Sequence, residues 1–175
     1  MAKTVVFNCG NLNANGVCHA ICGSWIRKNK LATRHGAPEG VTDVNDIGTA
    51  GFLGMIWDAP PTFEGIDRIN LLGLPIKDPY EYSPAGIGNI SLQTIARELT
   101  LGWNRYSMLS VWGAGGEGHS MATRLVQGHI QFLDPNFSCW EYDRSSELYG
   151  DVAAHIGQYY PDLLNSTVRV AQYWA

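Results

Sequence analysis

Charge is scarce in this chain, and what there is leans acidic. Only 16% of the 175 residues are Asp, Glu, Lys or Arg, and the formal net charge is −4 at pH 7. The sequence pI is near 5.7. A surface of that kind neutralises few phosphates, which argues against nucleic acid or an anionic membrane as the main partner. Long apolar runs are missing too, since none approaches the roughly 18 residues of a membrane span. The opening residues, Met1-Ala2-Lys3-Thr4-Val5-Val6-Phe7, hold one lysine and a short apolar run, so no signal peptide is expected. A cytoplasmic protein fits these absences. Export through a dedicated secretion machine, or excision from a longer polypeptide, would leave no mark in such a sequence.

Cysteine is also sparse: Cys9, Cys18, Cys22 and Cys139 are the four in the chain. A chain of this size, with so many aromatics, does not need disulfide staples, so reduced thiols are expected. Cys18 and Cys22 lie four apart with His19 between them, but no second ligand pair of zinc-site spacing accompanies them. The expectation is therefore no metal, and no cofactor of any kind.

What the chain does have is apolar residues, 45% of the total. That suffices for a single domain over residues 1–175 with a sizeable core. The densest signal is the stretch Asn13-Ala14-Asn15-Gly16-Val17-Cys18-His19-Ala20-Ile21-Cys22-Gly23-Ser24-Trp25-Ile26. A loop of Asn and Gly runs into a helix expected from about 17 to 28, with Val17, Ile21 and Trp25 on one face. Asn13 or Asn15 can cap it by accepting from orphan backbone N–H groups. The partial positive charge of a helix N-terminus favours the thiolate of a cysteine in its first turn, and thiolate is the nucleophilic form. Cys18 is the candidate nucleophile.

Upstream of this stretch, residues 4–8 read as a short strand or extended arm. Thr42 or Asp43 could start a second helix carrying Val44, Ile47, Phe52 and Ile56, weakened by Gly48, Gly51 and Gly54. Residues 58–88 hold five of the eight prolines and read as a long irregular excursion. Because long loops on a rigid scaffold commonly carry function, this stretch is expected to shape a substrate cleft. Ser91 caps a helix to about Leu101. Strands are expected at 105–112, 119–126, 129–133, 138–142 and 166–174, with a helix at 145–158. Gly113-Ala114-Gly115-Gly116-Glu117-Gly118 is followed by a strand and not by a helix, so it reads as a hairpin loop and no dinucleotide site. Helices early and antiparallel strands late give an α+β fold.

A second constellation comes from strand register. If Gln127 and Gly128 are the two loop residues of a hairpin, Val126 pairs with His129 and Met121 falls opposite Asp134. His119 lies on the same face as Met121, which places it diagonally from Asp134, within reach of a hydrogen bond. A loop one residue longer or shorter would turn one partner to the other face. Cysteine nucleophiles need a base and an orienter for that base. Cys18, His119 and Asp134 supply the set, and the Cys18 backbone N–H with the Asn13 amide can supply oxyanion donors. Singly, each residue has a plainer reading: a core cysteine, a strand histidine, a turn aspartate and a helix cap. His19, His35, His129 and His155 are read as structural or solvated. Trp25, Trp57, Trp103, Trp112, Trp140 and Trp174 are read as core, although Trp112 near the glycine loop could line the cleft.

In these residues the sequence resembles the YopT-type effector cysteine proteases, a papain-like branch. Gly16-Val17-Cys18 through Trp25-Ile26 resembles their nucleophile motif, Gly118-His119-Ser120-Met121-Ala122 the histidine segment, and Phe132-Leu133-Asp134-Pro135-Asn136-Phe137 the aspartate segment. His19 and Cys22 depart from the usual pattern. The motifs cover about thirty residues. The resemblance implies a papain-like fold, with the nucleophile at a helix N-terminus packed on an antiparallel sheet that carries His and Asp. It also implies a Cys18–His119–Asp134 thiol protease, with Asn13 assisting. Such a protein would be an effector or toxin delivered into a target cell's cytoplasm to cleave a specific protein there, with a cognate immunity protein or chaperone as a further partner. The same triad serves a papain-fold amidohydrolase, deamidase or transglutaminase-like toxin, and the fold can also persist as an inactive binding module.

Overall fold

The computed structural model describes residues 3–10, 18–36, 40–47, 80–82, 92–100, 102–112, 118–161 and 167–174. In chain order these form β1 (Lys3–Asn8), α1 (Cys18–Arg34), a 3-10 turn (Val44–Asp46), β2 (Tyr80–Tyr82), α2 (Leu92–Thr100) and β3 (Arg105–Trp112). Then follow β4 (Gly118–Val126), β5 (His129–Leu133), β6 (Ser138–Tyr142), α3 (Ser145–Tyr159) and β7 (Thr167–Trp174). The strands make a seven-stranded sheet in the order β1-β6-β5-β4-β3-β7-β2. Every pairing is antiparallel.

Both faces of the sheet are covered. β4 is buried along almost its whole length because its alternate side chains enter two different cores. Ala122 and Val126 join Ile21, Cys22, Trp25 and Ile26 of α1. Met121 and Leu125 join Ala96 and Leu99 of α2 and Leu148, Val152 and Ile156 of α3. Strand periodicity of two thus divides one strand between two helical layers.

Helix α1 continues to Arg34, beyond the end expected near residue 28. The reason lies in Asn29, whose side chain turns into the protein. Its Nδ2 donates to the Trp25 carbonyl at 2.9 Å. Its Oδ1 accepts from the Val41 N–H and from Arg124 Nη1, both at 3.0 Å. The helix stops where Gly36 takes a φ of 75°. Of the expected second helix, the described part is the 3-10 turn Val44–Asp46, with Asp43 Oδ1 accepting from the Asn45 N–H at 2.7 Å, and the rest lies outside the described residues. Residues 48–79 lie outside the described part, as does the Ser91 cap. Within the excursion over 58–88, residues 80–82 are not irregular but form the edge strand β2 on β7. The placement of Trp103 in the core is also corrected. It is 63% exposed, in a tight turn where Gly102 and Asn104 both have positive φ. Trp25 is fully buried, and the side chains of Trp57, Trp112 and Trp174 lie outside the described part.

Gly40 marks the closest approach behind α1. Its φ is 68°, and a Cβ there would overlap Asn29 Oδ1 and come within 2.7 Å of Arg124 Nη1. Gly40→Ala should therefore lower unfolding free energy by about 2–4 kcal/mol, combining backbone strain with a disrupted buried polar group. Urea denaturation measures this. Gly36→Ala, where nothing lies within 4 Å, should cost only the positive-φ strain, of order 1 kcal/mol.

Candidate active site

The local geometry of the site begins with the β4–β5 hairpin. Gln127 and Gly128 both take positive φ, 53° and 85°, which suits a two-residue turn matched to the strand twist. The ladder then runs from Val126↔His129 to Ala122↔Leu133. Asp134 follows directly, and its Oδ1 accepts from His119 Nε2 at 2.9 Å. The hairpin register anticipated from the sequence is the one present. Asp134 is fully buried, and His119 is nearly so.

Cys18 is the first residue of α1, and no acidic residue occupies the helix's first turn. Cys18 lies close enough to His119 for its thiol to favour the charged imidazole. With His119 Nε2 taken by Asp134, Nδ1 is the ring nitrogen that remains for the thiol. His119 and Asp134 meet as the hairpin register requires, and Cys18 stands near the imidazole. Cys18 comes from the α1 side of the sheet, and His119 with Asp134 from the α3 side. Asn13 lies outside the described residues.

The electrostatics follow from burial and donors. Burial alone would lower the His119 pKa, but hydrogen bonds to Asp134 and Cys18, with their charge, raise it to about 9. Burial would raise that of Asp134, yet donors from His119 and His155, the charge of His119 and the Asn136 N–H hold it well below the usual carboxylate range. The other thiols are disfavoured as nucleophiles. Burial, with the charge of Asp134, pushes Cys9 up to about 12. Burial likewise raises Cys22 and Cys139 well above an ordinary thiol. All four cysteines are free and buried.

Further polar groups surround the triad that sequence reasoning did not assign to it. His155 Nε2 donates to Asp134 Oδ2 at 2.7 Å. The Tyr160 hydroxyl donates to the same oxygen at 2.8 Å and lies 3.0 Å from His119 Nε2. The Tyr160 ring stacks on the His119 imidazole with centroids 4.6 Å apart. His155 lies on the buried stripe of α3 with Leu148, Val152 and Ile156. A lone imidazole in that apolar stripe was the available signal. On the α1 side, His19 Nδ1 meets Ser110 Oγ at 3.3 Å and Ser120 Oγ at 3.2 Å. Among the described residues, no group of three or more His, Cys, Asp or Glu is arranged to hold a metal ion.

No protein-family model matches the sequence, and no curated protein matches it. Among solved structures, the chain is similar to the Pseudomonas avirulence protein AvrPphB, with a TM-score of 0.64 and 16% identity. That match covers 100% of this chain and 97% of AvrPphB. A cysteine protease-like domain of the Photorhabdus asymbiotica toxin PaTox aligns with a TM-score of 0.46 and 12% identity, over 98% of this chain and 53% of that one. At this identity the first match shows a shared α+β fold, the fold class that the sequence implied.

If His119 is held as imidazolium, the stability it contributes is complete below its unfolded value near 6.5 and is lost as pH rises through about 9. The stability advantage of the wild type over His119→Ala should therefore shrink by up to about 3 kcal/mol across that window. Chemical denaturation at several pH values measures it, and a constant difference would show that His119 titrates normally. In the same protein, iodoacetamide should modify Cys18 well before Cys9, Cys22 or Cys139, and His119→Ala should slow that reaction at pH 6. Peptide mapping by mass spectrometry gives the order of labelling.

Proposed function

We propose that this chain is a papain-like cysteine protease that uses Cys18 as nucleophile, His119 as proton donor and acceptor, and Asp134 as orienter. One observation carries the reading. A buried carboxylate fixes the imidazole of His119, and a cysteine at a helix N-terminus lies close enough to that imidazole to favour its charged form. The AvrPphB-like fold supports it.

The chemistry follows from the geometry. The Cys18 sulfur, having given its proton to His119, attacks the carbonyl carbon of the scissile amide and forms a C–S bond. Negative charge gathers on the carbonyl oxygen, where the Cys18 backbone N–H and the Asn13 side-chain amide are the proposed donors. As the C–N bond breaks, His119 Nδ1 passes its proton to the departing amine. Water then attacks the thioester with His119 as base, the C–S bond breaks, and the thiol is restored. Asp134 keeps the other nitrogen, Nε2, in donor form throughout, so the working nitrogen always faces the sulfur. The substrate is a protein, and by extension from the avirulence protein with the same fold the setting is the cytoplasm of a target cell. The stretch 58–88, expected from the sequence to shape the cleft, lies outside the described residues apart from 80–82.

Because Asp134 orients and makes no bond to substrate, Asp134→Asn should leave the protein folded but reduce turnover roughly a thousandfold or more by favouring the wrong tautomer. Incubation with a target-cell lysate decides the reaction class. New protein N-termini that depend on Cys18 support proteolysis. A one-dalton gain on glutamine without new N-termini would make the chain a deamidase, and neither change would leave it a binding module.

A further inference from the structure

We propose that His155 and Tyr160, at the end of α3, clamp Asp134 and act as positioning residues for the His119 imidazole, so that the site works as five side chains and not three. The inference rests on the triad reading above and adds to it. A carboxylate has two oxygens and about four lone-pair sites. Asp134 Oδ1 accepts from His119 Nε2 and from the Asn136 N–H, both at 2.9 Å. Its Oδ2 accepts from His155 Nε2 at 2.7 Å and from the Tyr160 hydroxyl at 2.8 Å. All four sites are filled, and the carboxylate has no exposure to water. A buried charge is tolerable only when protein donors replace its hydration, so each donor is needed to keep Asp134 ionised. The two donors on Oδ2 also fix the rotation of the carboxylate, which leaves Oδ1 aimed at His119.

The clamp is itself held. The His155 ring packs edge-on against Phe132, Phe137 and Trp140 at centroid distances of 5.4, 5.2 and 5.4 Å. Tyr160 accepts from Asn136 Nδ2 at 3.0 Å while its ring lies over His119. Burial and the charge of Asp134 keep Tyr160 a phenol, so it stays a donor. The stack opposes rotation of the imidazole, and the hydroxyl bridges imidazole and carboxylate.

The aromatic cage permits a test that separates hydrogen bonding from packing. His155→Phe preserves an aromatic ring in the cage and removes the donor, whereas His155→Gln keeps an N–H near the position of Nε2 and disturbs the packing. Two readouts need no substrate: the rate of Cys18 alkylation by iodoacetamide at pH 6, and the downfield NMR resonance of the His119 Nε2 proton. His155→Phe should slow alkylation about tenfold and shift that resonance, and His155→Gln should recover most of the rate. Alkylation at the wild-type rate in folded His155→Phe, or equal impairment in both folded variants, would overturn the clamp. If His155→Phe does not fold, Tyr160→Phe, which keeps the stack and loses the hydroxyl, should slow alkylation several-fold, and a wild-type rate there overturns the proposal. Failure of the triad reading looks different. The wild type itself would then show no His119-dependent labelling of Cys18, and the resonance shift would still judge the clamp.

Discussion

The hydrogen bond from His119 to the buried carboxylate of Asp134 is the constraint on which the site depends. An ionised carboxylate without contact to water is unfavourable by several kcal/mol unless donors replace its hydration. The fold meets that demand locally, with the Asn136 amide from the turn that follows β5 and with side chains from α3. The arrangement is self-consistent electrically. Donors stabilise the carboxylate, the carboxylate stabilises the imidazolium, and in the proposed mechanism the imidazolium in turn faces the Cys18 sulfur. Removing water from the first group is what makes the last two interactions strong.

Much of this was legible in the sequence because it depends on short-range geometry. Gln127-Gly128 between alternating segments sets a two-residue hairpin, and register then places His119 and Asp134 on one face. Cys18 at the start of a helix follows from the Asn- and Gly-rich stretch before it. The strands of the second half appear within a residue of their expected limits. What could not be read were contacts between elements distant in sequence. His155 bonds an aspartate 21 residues earlier, and Tyr160 one 26 residues earlier, through a helix packing that no local pattern encodes. The continuation of α1 failed for the same reason. Asn29 is buried within the helix, and its side-chain oxygen is satisfied by Arg124, 95 residues away. Trp103 failed in the opposite direction, since a large apolar ring was taken as core while its turn, with two positive-φ residues, holds it in solvent.

The placement of the other three thiols sets them apart from Cys18. Cys22 and Cys139 have no exposure, and Cys9 almost none, and each sits where a negative charge is unfavourable. Cys9 and Cys22 are used instead as weak donors, to the carbonyls of Asp134 at 3.6 Å and Ser120 at 3.4 Å. Those carbonyls belong to Asp134 itself and to the neighbour of His119. The thiols that are kept from reacting thus pin the backbone beside the groups that are proposed to react.

How α1 lies along β4 sets where Cys18 stands relative to the His119 imidazole. The two elements are joined at both ends of a shared span: Cys22 to Ser120 at one end, and Asn29 to Arg124 at the other. His19 adds a third contact, to Ser120 Oγ. Seven residues of helix advance about 10 Å, and four residues of strand about 13 Å, so the two spans match closely enough for helix and strand to run side by side in the same direction. Once those points are fixed, little freedom remains. Cys18 lies about 6 Å of helix rise before Cys22, which carries it to the start of β4, where His119 stands next to Ser120. A slip of one residue in the strand would turn His119 to the α1 core, and a slip in the helix would rotate Cys18 by about 100° away from it. The buried polar lock formed by Asn29, Arg124 and the Gly40–Val41 backbone, at the far end of the shared span, therefore holds the register that sets Cys18 against His119.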